Sequence, residues 1–203
     1  MICKGATLTS LANGFSFGEG PRWFEGLLWF SDMLGEAVHT VNLHGDMTKL
    51  PLAGHAPSGL GFCPDGSLLI ASTEQRQVLR YDGDSVTTLA DLSDAVPADL
   101  GDMVVDGLGR AYVGAQAREG GVIVRVDPDG SSAVVATDLD FPNGMVITPD
   151  GNTLIVAESI GRRLTSFTVG VDGSLSDRRI FADGLDGPPD GITLDAEAEC
   201  GRR

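Results

Sequence analysis

Three oxygen-bearing side chains stand at matching places in this sequence: Glu19 in GEGPRW (18–23), Asn143 in PNG (142–144) and Asp190 in PPDG (188–191). Each is followed by a glycine and then by an apolar run. Two carboxylates and a carboxamide make a hard, oxygen-only donor set. Such a set suits one divalent cation, Ca²⁺ first, with Mg²⁺, Zn²⁺ and Mn²⁺ also able to use it. Taken singly, each residue has a plainer reading, because Asn-Gly and Asp-Gly are ordinary turn pairs and an acid in a turn is normally solvated. The case for ligation rests on whether the fold brings the three together. The glycines around Glu19 would let backbone approach an ion closely, and Pro21 would stiffen the strand entry.

The elements that must do this are short strands. Apolar runs such as LLWF, SLLIAS, VLRYD, AYVG, VIVRVD and TLIVA alternate with Asp-Gly or Pro-Asp-Gly turns, and none carries a helical period. The chain therefore reads as all-β. Turn glycines Gly26, Gly66, Gly109 and Gly151 recur about every 40–43 residues, the spacing of β-propeller blades. Counting back eight residues from each turn, or seven in the first, lands on Glu19, Ser58, Gly101, Asn143 and Asp190. These five are equivalent positions at the entry of the innermost strand, which in a propeller lies by the central channel. The repeat predicts about four blades and the start of a fifth, fewer than a closed ring of six needs. The expected organisation is a single C-terminally truncated propeller domain over 1–203: a lead-in over 1–14, repeats over 15–197 and an aberrant end over 198–203. Open blade edges of that kind favour self-association.

The 203 residues, 42% of them hydrophobic, suffice for a sizeable core, and no apolar run approaches the roughly 20 residues of a membrane span. No secretory signal is evident, so a cytoplasmic location is expected. A formal net charge of −15 argues against nucleic acid or an anionic membrane as partner. Cys3, Cys63 and Cys200 are far apart and read as plain thiols. His39, His44 and His55 read as linker residues without a second ligand, His55 lying nearest the channel mouth. Trp23, Trp29 and Phe30 read as core, and Arg162 and Arg163 as a solvated hairpin tip.

The ordered segments FGEGPRW, PSGLGFCPDG, DMVVDGLGRAYVG, FPNGMVITPDG and PDGITLDAE resemble the gluconolactonase, senescence marker protein (regucalcin) and luciferin-regenerating enzyme family, from about Phe15 to Glu197. The resemblance implies a six-bladed propeller with one divalent cation bound by Glu19, Asn143 and Asp190, and hydrolysis of sugar lactones or related esters. It implies that Asp190 also activates the attacking water as catalytic base. One loop departs from the family pattern. Where lactonases carry an asparagine, often with an arginine two residues earlier, this chain has Gly101 and Asp99; Asp102 matches. Asp99, Gly101, Asp102 and Ser58 are the candidate substrate-facing positions, and an aspartate in place of the arginine would repel an anionic sugar acid. Two alternatives stay open. One is a non-catalytic calcium-binding propeller or an inactive fragment of the enzyme; the other is phosphotriester hydrolysis at a similar ion.

Overall fold

The computed structural model describes residues 9–195 together with 200–201. Cys3, residues 196–199 and 202–203, and the side chain of Cys200 lie outside the described residues. Among the described residues the secondary structure is β throughout, with no helix. Four sheets of four antiparallel strands follow one another in chain order. The first holds β1 (Gly18–Phe24), β2 (Leu27–Asp32), β3 (Ala37–Val41) and β4 (Met47–Pro51). The second holds β5 (Pro57–Phe62), β6 (Leu68–Ser72), β7 (Gln77–Tyr81) and β8 (Val86–Asp91). The third holds β9 (Leu100–Val105), β10 (Ala111–Ala115), β11 (Gly121–Val126) and β12 (Ser132–Leu139). The fourth holds β13 (Pro142–Ile147), β14 (Thr153–Glu158), β15 (Arg163–Val169) and β16 (Leu175–Ala182). A short pair, β17 (Thr193–Leu194) and β18 (Cys200–Gly201), comes after them. Each four-stranded sheet is a propeller blade, and the inner strands β1, β5, β9, β13 and β17 each touch the next.

The core lies between blades. Val38, Leu60, Leu68, Ile70 and Leu79 fill the space between the first two. Leu69, Ala71, Val78, Met103, Val113 and Val124 join the second to the third, and Tyr112, Ile123, Leu154, Val156 and Phe167 join the third to the fourth. A middle strand is thus covered on both faces. That is why LLIAS in β6 and AYVGA in β10 are buried at every position instead of alternating. The outer strands β4 and β16 face solvent and carry the polar residues. The predicted turn glycines Gly26, Gly66, Gly109 and Gly151 have φ of 80°, 85°, 81° and 74°.

Three expectations need correction. His39 is not in a linker but inside β3, where its ring is buried and stacked on Phe30. Trp23 is not core: it is 56% exposed on β1, while Phe30 is buried. Arg163 is not a solvated tip, because it binds the buried Glu158 and Asp140; Arg162 does stand exposed at the turn.

The inner strands pack backbone to backbone, and glycines make this feasible. A Cβ on Gly20, whose φ is +54°, would stand 2.5 Å from the Ser58 carbonyl oxygen. One on Gly144 would stand 2.5 Å from the Asp190 oxygen and 2.6 Å from the Ile192 nitrogen. The glycines beside Glu19 and Asn143 therefore serve the approach of the neighbouring inner strand. Gly144→Ala should lower stability by about 1–3 kcal/mol, since a methyl group there must push backbone rather than a flexible side chain. Thermal unfolding measures it, and an unchanged midpoint would show that the two strands are not held this closely.

Candidate functional site

Glu19, Ser58, Gly101 and Asn143 are each the second residue of their inner strand, as the repeat predicts. Every one of these strands also slips register there. Glu19↔Ser31 is followed by Arg22↔Trp29, Pro57↔Ser72 by Leu60↔Ile70, Leu100↔Ala115 by Met103↔Val113, and Pro142↔Glu158 by Met145↔Val156. Two residues on the inner strand oppose one on its partner, so each blade carries a bulge at the channel end. A bulge re-aims the side chains around it, here at the place where the blades converge. The residue after each second strand is fixed as well. The backbone N–H groups of Met33, Thr73, Gln116 and Ser159 donate to the carbonyls of Phe17, Ala56, Asp99 and Phe141, each two residues before the bulged position.

Asn143 and Asp190 meet directly. Asn143 Nδ2 donates to Asp190 Oδ1 at 2.7 Å and to Ser159 Oγ at 3.2 Å, and Ser159 Oγ donates to the Pro189 carbonyl at 2.6 Å. The Asp190 backbone is held too, because the Gly144 N–H donates to its carbonyl at 3.2 Å. Glu19 belongs to the same cluster. Burial, then the negative charges of Asp190 and Asp102, push its carboxyl above the ordinary glutamate value, against a small opposing effect of the Gly20 amide. Glu19, Asn143 and Asp190 come from the first blade, the fourth and the segment leading into β17.

Asp102 is tied down by Arg22, which reaches across from the first blade to the third. Arg22 Nη2 stands 3.0 Å from Asp102 Oδ1 and 2.7 Å from the Met103 carbonyl. Asp99 is exposed and faces Arg76, with Nε 3.7 Å from Oδ1, an ion pair too long to be a hydrogen bond. Its charge is thus partly balanced locally. Ser58 is buried, and its carbonyl accepts from Ser31 Oγ at 2.7 Å. Gly101 is buried beneath Gln116. His55 binds Ser72 through Nδ1 at 2.8 Å. Burial pushes the Cys63 thiol up, which leaves it little nucleophilic character. Arg22, Gln116 and Ser159 carry no motif of their own. Only their register after the second strand, or a long reach across the channel, places them at the site.

The donor chemistry fits a hard cation. Burial first, and then the neighbouring charges of Asp190 and Asp102, raise the pKa of Glu19; neither Glu19 nor Asp190 is paired with a lysine or arginine among the described residues, and a carboxamide lies against Asp190. Among the described residues no three acids, histidines or cysteines cluster at ligand spacing, so the carboxamide is needed to make a third donor.

Residues 17–200 match the family model described as the SMP-30/Gluconolactonase/LRE-like region. The chain belongs to that family. Among its curated relatives, a pentonolactonase of Haloferax volcanii is 29% identical over 186 residues, covering 88% of this chain and 63% of the relative. This chain thus spans less than two thirds of that relative's length. Among solved structures, a gluconolactonase from Xanthomonas campestris superposes with a TM-score of 0.82 at 28% identity, over 94% of this chain and 70% of that one. A calcium-binding protein of the family, regucalcin from Agrobacterium tumefaciens, superposes with a TM-score of 0.79 at 25% identity, over 94% and 68%. For this family member the predicted propeller blades stand.

Proposed function

We propose that this protein opens sugar lactones or related cyclic esters, using a divalent cation held by Glu19, Asn143 and Asp190. The observation that carries the reading is the single electrostatic cluster these residues form from distant parts of the chain. Family relatives that are a pentonolactonase and a gluconolactonase support a lactone as substrate. The calcium-binding relative supports Ca²⁺ as the first ion to test.

When bound, such a cation supplies Lewis-acid polarisation of the carbonyl and lowers the pKa of an adjacent water. The chain's own residues do the rest. Asn143 occupies Asp190 Oδ1, which leaves Oδ2 to accept a proton from water as its oxygen attacks the carbonyl carbon. The ring C–O bond then breaks, and the proton held on Asp190 passes to the departing ring oxygen, giving the open hydroxy acid. Ser159 holds the Asn143 carboxamide in line, and Arg22 partly offsets the Asp102 charge beside Glu19.

Calorimetric titration with Ca²⁺, Mg²⁺, Mn²⁺ and Zn²⁺, followed by pH-stat assay on gluconolactone and pentonolactones, tests this. One ion per chain is expected, with rates that follow its occupancy. Glu19→Gln should weaken binding at least about tenfold, the loss of one charged interaction worth about 1.4 kcal/mol. Ion binding without turnover on any lactone would favour a calcium-binding propeller that does no chemistry. Turnover unaffected by chelation would remove the cation from the proposal.

A further inference from the structure

Five equivalent positions ring the channel end, and four of them bear polar side chains: Glu19, Ser58, Asn143 and Asp190. Gly101 alone has none. Its φ lies outside the left-handed region, so the backbone does not require glycine there. Space does. A Cβ built on Gly101 would fall directly onto the Gln116 carboxamide, touching its carbon, nitrogen and oxygen. Gln116 is anchored for this placement by its N–H, which donates to the Asp99 carbonyl at 2.8 Å. It also holds the place in its blade that Ser159 holds in the next, and Ser159 demonstrably reaches the channel residue Asn143.

We infer that Gln116 stands in for the missing side chain at Gly101 and binds a hydroxyl or carbonyl oxygen of an uncharged, polyhydroxylated substrate. The inference rests on the lactone reading above. A carboxamide both donates and accepts, and among the described residues the Gln116 side chain makes no hydrogen bond that would use up either capacity. Of the acids flanking Gly101 in sequence, Asp102 is paired with Arg22 and Asp99 is partly balanced by Arg76 at 3.7 Å. A neutral carboxamide next to acidic residues recognises a sugar hydroxyl in preference to a carboxylate. Such a group also discriminates, because a site built to hydrogen-bond a hydroxyl disfavours a ligand lacking it.

The test compares gluconolactone with δ-valerolactone, which has no ring hydroxyls. Gln116→Ala should raise KM for gluconolactone roughly three- to tenfold, the worth of a neutral hydrogen bond, with kcat held and δ-valerolactone unaffected. Gly101→Ala should reproduce that loss, since its methyl group displaces the carboxamide. The double variant should be no worse than either single one. An unchanged KM, or an equal loss on both lactones, overturns the inference. A second measurement separates it from the catalytic proposal: the side-chain amide resonance of Gln116 is followed by NMR while gluconolactam, which is not hydrolysed, is titrated. A saturable shift supports the inference even if no lactone is turned over, and no shift overturns it even if one is.

Discussion

Asp190→Asn is expected to lower kcat for lactone opening by about 10²–10⁴, the range for loss of a general base. The substitution is nearly isosteric, and the side chain is exposed, so little packing changes. The backbone at this position stays held by the Gly144 N–H. An asparagine oxygen can still accept from Asn143 Nδ2; what it cannot do is take a proton from water. The decrease should therefore appear with a thermal midpoint close to that of the unsubstituted protein. Because Asn143 orients the base, Asn143→Ala should also lower kcat, and the two substitutions combined should cost less than the product of their separate effects. Steady-state kinetics over a pH series decides the matter. Equal turnover in Asp190→Asn would take the base out of the mechanism.

The largest expected effect on stability comes from Glu158, which has no solvent exposure at all. Its carboxylate accepts from Arg163 Nε at 2.9 Å and Nη2 at 2.7 Å, from the Asp140 N–H at 2.7 Å and from Thr165 Oγ1, with Arg178 Nη2 3.3 Å away. Burial alone would raise its pKa; the hydrogen bonds from Arg163, Thr165 and the Asp140 amide, with the Arg163 charge, outweigh burial and hold it below the ordinary glutamate value near 4.5. Glu158→Ala leaves Arg163 without its main partner and should cost about 3–5 kcal/mol, as broken buried pairs do. For a chain of this size that is roughly 6–20 °C in the midpoint of thermal unfolding. The pH dependence follows from the depressed value. The unfolded state binds this proton more readily, so the stabilisation is complete above about pH 4.5 and is lost as pH falls through the folded value. Glu158→Gln should flatten that part of the acid-unfolding curve. A variant as stable as the parent, with the same acid limb, would mean the network contributes nothing net.

The two predictions differ in how far the sequence announces them. Asp190 is legible because its Pro-Asp-Gly precedes a strand at the register of Glu19 and Asn143, and the bulged inner strands carry that register into space. The blades are legible for a similar local reason: turn glycines at left-handed φ and apolar runs long enough for one strand each. Glu158 and Arg163 are not, since Arg163 next to Arg162 after a glycine reads as surface until Thr165 and Asp140 close around Glu158. Trp23 misleads in the opposite sense. Its hydrophobicity says core, but only the packing of neighbouring blades decides which face of β1 is covered. Gln116 and Arg22 escape for the same reason, because a carboxamide filling a glycine's empty place and a guanidinium spanning two blades are facts of tertiary distance.

The recurrent bulge at the channel end separates two tasks within each repeat. Residues that hold the blades together lie along the regular ladders, whereas residues that face the axis sit on a single irregular step. An exchange of an exposed axis-facing side chain at such a step alters reactivity without repacking any slab between blades, whereas the glycines beside it are held by the next inner strand. New specificities can thus arise by single replacements at the hub, with no compensating change at the rim.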